Sequence, residues 1–289
     1  MIKLQTPVEA GKCSLGIGLD DGFIVLGSCF ADEMGGRMAA GGLKACVNPF
    51  GTLYNPVSVC NSVTRLSAGV PFTEDDCVEM GAGAGLICSF SHHTSFARPT
   101  KEEFLENANS ALKEASEAFG EASVVMVTLG TSWCFRHLKT GETVSNCLKR
   151  DAAEFSREML DWETTSALLR RMVSRFPEKK FIFTVSPIRH LADGAHGNQL
   201  SKSALLMAVD SVCRAFPGRT DYFPSYEILL DELRDYRFYA EDMVHPSPVA
   251  VDYIWKRFCE WAFNARALER ITAAEKAFRQ SLHRPNLKK

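Results

Sequence analysis

The chain has 289 residues, a formal net charge of -2 and a hydrophobic fraction of 46%. That is apolar material enough for one large core, and the charge gives no reason to expect nucleic acid or an anionic membrane as partner. No apolar run could span a bilayer and no N-terminal stretch has the pattern of a secretory signal, so a cytoplasmic protein is expected. The ten cysteines are scattered with no C-x-x-C pair, so reduced thiols, no metal and no cofactor are expected.

Short apolar strands alternate with longer amphipathic helices, which predicts a parallel α/β sheet covered on both faces. The first strand is Phe23 to Leu26, followed by a helix from near Phe30 with Asp32 and Glu33 in its first turn, where the helix dipole favours negative charge. A second strand, Lys44 to Val47, runs into the turn-rich loop from Asn48 to Pro56. Residues from about 56 to 99 are expected to form an insertion. Thr100 and Glu103 match a helix capping box, and the buried face beyond them runs from Phe104 to Phe119. Ser123 to Leu129 is apolar and β-rich enough for a central strand. Glu163 to Phe176 predicts a helix, Lys180 to Val185 a strand, Leu200 to Phe216 a helix, Thr220 to Phe223 a last strand and Val249 to Ala262 a closing helix. With no repeat or linker, one domain over residues 1–264 is expected, followed by a helical tail over 265–289 that is basic at its end, with Arg279, Arg284, Lys288 and Lys289.

Three polar groups follow predicted strands and so should meet at one sheet edge, where ligands bind in open α/β sheets. They are Gly27-Ser28-Cys29, Gly130-Thr131-Ser132-Trp133 and Ser186 to His190; a fourth, Asp242 to His245, precedes the last helix. A nucleophile at a strand-to-helix turn with a distant Asp and His fits acyl-group chemistry. The His takes the nucleophile's proton, the Asp orients the His, and helix N-terminal amides hold the oxyanion. Read singly, Ser28 is an N-cap and Asp242-x-x-His245 a capping or surface arrangement.

Gly27-Ser-Cys-Phe-Ala31 is the motif that names the GSCFA family, and the chain resembles that family also across Asn48 to Pro56, Ser91-His-His93, Ser186 to His190, Tyr222 to Glu227, Asp231 to Tyr239 and Asp242 to Ser247. The family is grouped with the SGNH, or GDSL-like, hydrolases, so the resemblance implies a three-layer α/β/α sandwich with a flavodoxin-like sheet. It also implies an esterase or acyltransferase acting on an acylated small molecule or a carbohydrate ester. Asp242 and His245 match the superfamily's Asp-x-x-His block, and Gly51 corresponds to the glycine whose amide serves the oxyanion. Ser132 stands where the superfamily has Asn, so either Asn48, Asn55 or Asn146 substitutes or the oxyanion hole is incomplete. The register of Gly-Asp-Ser-Leu puts the nucleophile on Cys29, whereas the superfamily's serine chemistry favours Ser28. A helix N-terminus favours a thiolate, intrinsically the better nucleophile. Of His92 and His93 one is expected to face the site, with His93 the candidate. Arg189 and His190 are candidates to bind an anionic or hydroxyl-rich substrate. The alternative reading is a non-catalytic carbohydrate- or metabolite-binding protein on the same scaffold.

Overall fold

A computed structural model describes residues 6–282. In chain order the regular elements are β1 (Phe23–Gly27), α1 (Cys29–Ala40), β2 (Ala45–Val47), α2 (Pro56–Ala68), β3 (Val78–Glu79), β4 (Ile87–Cys88), α3 (Lys101–Glu121) and β5 (Val124–Leu129). They continue as β6 (Trp133–His137), β7 (Thr143–Val144), β8 (Phe155–Met159), α4 (Trp162–Arg175), β9 (Lys180–Val185), α5 (Gly194–Ala215) and β10 (Thr220–Tyr222). The short α6 (Ser225–Glu227) runs on as a π-helical segment over Ile228–Leu233, and α7 (Pro248–Ala262) and α8 (Ala265–Leu282) close the chain.

The central sheet has five parallel strands in the order β10-β9-β5-β1-β2. Because successive strand residues point to opposite faces, each buried strand feeds two cores. Ile24 and Leu26 of β1, with Val125 and Val127 of β5, face α2, α3, α4 and α5, where Val63, Phe104, Leu169 and Leu205 pack on them. Phe23 and Val25, with Val124 and Met126, face α1, α7 and α8, through Met34, Phe258 and Ile271. The result is a three-layer α/β/α sandwich.

The sequence puts the five strands of the central sheet within a residue or two of their observed ends, and gives no sign of the other five. The segment expected as an insertion opens with α2, which belongs to the helical layer; its Val59, Val63 and Leu66 lie in the core. The rest of that segment is largely irregular, with the small antiparallel pair of β3 and β4. An antiparallel sheet of three strands, β7-β6-β8, also stands beside the main sheet. Arg279 lies at the exposed end of α8, while Arg284, Lys288 and Lys289 fall outside the described residues.

In an open sheet, the place where strand order reverses leaves a crevice at the strands' C-terminal ends. Here β1 leads outward to β2 on one side, and the next sheet strand in sequence, β5, lies on the other. The crevice between the ends of β1 and β5 is therefore where the fold offers a site.

Candidate functional site

The turn after β1 is built around a glycine. Gly27 has φ +140°, and a Cβ there would come 2.0 Å from the carbonyl oxygen of Thr128 on β5. Its N–H donates to Asn48 Oδ1 at 2.8 Å and its carbonyl accepts from Leu53 N at 2.8 Å. Both neighbouring chain segments thus fix where the next two residues stand.

Those two residues sit in different surroundings. Ser28 is 2% exposed and is the N-cap of α1, its Oγ accepting from Phe30 N at 3.3 Å. Cys29 opens the helix and is partly exposed, with its Sγ 3.7 Å from the hydroxyl of Tyr54. Tyr54 also shares a 3.2 Å hydrogen bond with Thr52 Oγ1. Burial, with smaller contributions from Cys29 and Asp32, pushes the Tyr54 phenol up to about 12, so it stays a neutral hydroxyl that can donate to an anion beside Cys29.

The loop from Asn48 to Pro56 holds this corner together. Asn48, at φ +40°, accepts from Gly27 through Oδ1 and donates through Nδ2 to Asp32 Oδ1 at 2.7 Å. Both ends of its amide are engaged, which makes it a brace between strand end and helix. Half-burial raises the Asp32 carboxyl above the usual carboxylate range, partly offset by that hydrogen bond and by the nearby His93. Gly51 has φ +79°, and a Cβ on it would meet the His93 Cβ at 2.3 Å. Its N–H donates to Asn48 O at 2.7 Å, so that amide is engaged within the loop. His93 is partly exposed and shares a 3.0 Å hydrogen bond between Nδ1 and Ser95 Oγ. His92 instead lies fully buried among Phe50, Phe72, Phe96 and Phe104.

Two of the asparagines do local structural work. Asn55 is the N-cap of α2, accepting from Ser58 N at 2.9 Å, and Asn146 Oδ1 accepts from Leu148 N at 2.8 Å. At the end of β5, Gly130 N and Thr131 N both donate to Tyr54 O at 2.9 Å. Ser132 is enclosed: its N–H donates to Ser201 Oγ at 2.9 Å and its own Oγ is buried without a partner.

Gly130 also ties the neighbouring strand into the corner. A Cβ on it would sit 3.4 Å from that of Ser28, and its carbonyl accepts from His190 Nε2 at 2.7 Å and from Lys202 Nζ at 2.6 Å. Lys202 Nζ donates as well to Ser186 O at 2.7 Å. Since a carbonyl only accepts, Nε2 of His190 carries hydrogen. Burial, reinforced by the Lys202 charge, lowers the His190 pKa, and burial brings the Lys202 ammonium down to about 7.

Asp242 and His245 form a compact turn. Asp242 Oδ2 lies 2.6 Å from His245 Nδ1, while Oδ1 accepts from Val244 N at 2.8 Å and from His245 N at 2.9 Å. Those two backbone bonds first, and the imidazole after them, hold the Asp242 carboxyl down at about 2. With Oδ2 facing Nδ1, the ring carries its acceptor at Nε2 when neutral, and among the described residues Nε2 has no hydrogen-bond partner. The turn docks on the segment after β9: Arg189 N donates to Val244 O at 3.2 Å and Arg189 Nη1 to Met243 O at 3.4 Å, and the Arg189 guanidinium lies over the Tyr239 ring at 5.1 Å.

The structure thus brings Ser28, Cys29, Asn48, Gly51, His93 and His190 to one corner, the C-terminal edge of the sheet. Asp242, His245 and Arg189 stand beyond the end of β9 on the same edge; Asn55, Ser132 and Asn146 are engaged in caps, turns or enclosure. Sequence reasoning gave no role in the site to Tyr54, Asp32 or Lys202. For Lys202 a signal existed, since it shares the helical phase of the buried Asn198, Ser201, Leu205 and Val209. Among the described residues no three His, Cys, Asp or Glu side chains converge as a metal site needs, and no helix is long and apolar enough to cross a membrane.

Comparison with known proteins returned no match among the curated proteins and none among the solved structures. The GSCFA family model, however, matches residues 22–258, a span that runs from β1 into α7 and includes every residue of the corner just described. The chain belongs to the GSCFA family.

Proposed function

We propose that the protein is an enzyme of acyl-ester chemistry, a hydrolase or O-acyltransferase for an acylated small molecule or carbohydrate, with Cys29 as nucleophile. The observation that carries this reading is the contrast at the helix start: a reachable thiol on the first residue of α1 beside an enclosed, capping serine. His245 is the general base and Asp242 its orienter, supported by their 2.6 Å contact and the open Nε2. Ten unpaired thiols fit a reducing compartment, so the cytoplasm is the proposed setting.

In this scheme His245 Nε2 takes the thiol proton and the sulfur attacks the ester carbonyl. The oxyanion is met by the N–H of Cys29, the first amide of α1, and by the Tyr54 hydroxyl. As the tetrahedral species collapses, the alkoxide leaves with the proton from His245 and the acyl group stays as a thioester on Cys29. Water or an acceptor hydroxyl, deprotonated by His245, then releases the acid or forms the new ester and restores the thiol.

The second reading, a binding protein on a hydrolase scaffold, is favoured by the Gly51 amide, which is engaged within its loop, and by Ser132, whose hydroxyl is walled off from the surface. Turnover of p-nitrophenyl acetate separates the two. The enzymatic reading expects activity in wild type and Ser28→Ala, and its loss in Cys29→Ala and His245→Ala. Equal rates in all four proteins, no better than buffer, would favour the binding reading.

A further inference from the structure

A second cavity, of about 440 Å³, lies between α2 and the turn joining β6 to β7, and holds none of the residues assigned to acyl chemistry. Ser58, Ser62 and Arg65 stand along one face of α2, with Asn61 beside them; Glu142 and Phe90 line it too. Ser58 Oγ is buried with no hydrogen-bond partner. Among the described residues the side chains of Asn61, Ser62 and Glu142 have no hydrogen-bond or ion-pair partner either.

The charge in this pocket argues against an anion. Arg65 is already occupied: its guanidinium lies 4.3 Å from the Phe72 ring centre, pairs with Asp76 at 3.3 Å and donates to the carbonyl of Val70 at 3.1 Å. Glu142 then leaves an unpaired carboxylate, which repels phosphate or carboxylate ligands. An acyl chain fits no better, because it would cover Asn61 and Glu142 without replacing their hydrogen bonds to water and would leave Ser58 Oγ unpartnered. A ligand with hydroxyls on its edge and C–H groups on its face satisfies both the polar side chains and the phenylalanine rings, and the cavity falls within the size range of small-molecule sites. We propose that this pocket binds a neutral sugar ring, with Ser58, Asn61 and Glu142 taking its hydroxyls and Phe90 meeting its C–H face. The proposal stands apart from the acyl chemistry at Cys29 and survives if that reading fails.

Saturation-transfer NMR on the full chain, with glucose, galactose, mannose and N-acetylglucosamine as probes and inorganic phosphate and octanoate as controls, tests it. At least one sugar is expected to bind with a Kd on the order of millimolar, as suits a small ligand in a single pocket. Asn61→Ala and Glu142→Gln, both at exposed positions, are each expected to weaken binding by about 5-fold or more. Ser58→Ala should weaken it likewise without lowering the melting temperature, since the hydroxyl it removes has no partner in the free protein. Absence of transfer to every sugar at about 50 mM, sugar binding indifferent to Asn61→Ala and Glu142→Gln, or binding of phosphate or octanoate alone would each overturn the proposal.

Discussion

Ser28 and Cys29 are adjacent in sequence, yet their substitutions should have opposite effects. Ser28→Ala removes the N-cap of α1 and is expected to cost about 1 kcal/mol in urea denaturation while leaving ester turnover within a few-fold of wild type. Cys29→Ala should keep the fold and lose the turnover. Gly27→Ala combines a φ of +140° with a backbone clash at 2.0 Å and should destabilise by more than about 4 kcal/mol or prevent folding. Asp242 carries its own signature. Its folded carboxyl lies at about 2, below the unfolded range near 4, so the unfolded chain binds the proton more readily. The stability it contributes is present above about pH 4 and is lost as pH falls toward about 2. Ester turnover lost under mildly acidic conditions would therefore not arise from protonation of Asp242. Asp242→Asn should cut turnover by on the order of 10²–10⁴-fold through a misoriented imidazole, measured near neutrality.

Among the elements, the loop from Asn48 to Pro56 and the cluster behind it carry the consequences. His92 is fully enclosed by phenylalanine rings with Nδ1 on Ser89 Oγ at 2.6 Å, and burial, followed by Arg65, lowers its pKa to about 3. A folded pKa below the unfolded value near 6.5 means that acid favours the unfolded chain, by up to about 1.4 kcal/mol per pH unit between about 6.5 and 3. The melting temperature should therefore fall over that range, and His92→Phe should flatten the fall. A drop as steep in His92→Phe as in wild type would contradict that assignment. Lys202→Met would strand the buried carbonyl of Ser186, while that of Gly130 keeps His190 Nε2, at a cost of about 1–3 kcal/mol.

The sequence made several of these elements legible and hid others, for physical reasons. β5 and β9 declare themselves as apolar β-rich runs bounded by turns, and Thr100 marks the start of α3 by accepting from Glu103 N at 3.2 Å. α2 is obscured by Ser58, Asn61, Ser62 and Thr64, whose helix propensity is low, although Asn55, Pro56 and the Val59-Val63-Leu66 spacing signal it. β6 to β8 are short, and of their residues only Cys134, His137 and Val144 are buried, too few for a strand period to show. The π-helical turn at Ile228–Leu233 has no sequence signature at all. Along the C-terminal edge of the sheet, Ser28, Cys29, Asp242 and His245 stood out by type and spacing. Tyr54 did not, because what qualifies it is contact with a residue 25 positions away.

At the scale of the whole molecule, strand order matters more than any one helix. Reversal between β1 and β5 opens the crevice, and α7 carries the preceding Asp242–His245 turn while bracing α1 through the Arg37–Asp252 ion pair at 2.8 Å. α8 lies beyond the family match and buries only Ala267 and Ile271, with Trp255 Nε1 donating to Glu275 Oε1 at 2.5 Å. Removing residues 265–289 should thus cost about 2–4 kcal/mol, read by urea denaturation, and leave the turnover rate unchanged.

The claim on which the rest depends is that Cys29 carries the acyl group. Peptide mass spectrometry after rapid acid quench from p-nitrophenyl acetate reads this directly. The account predicts an acetyl group on Cys29, removable by hydroxylamine, retained in Ser28→Ala and accumulating when deacylation is slowed. An acetyl group on Ser28, or a turnover-competent protein that is never acetylated at this turn, would contradict it.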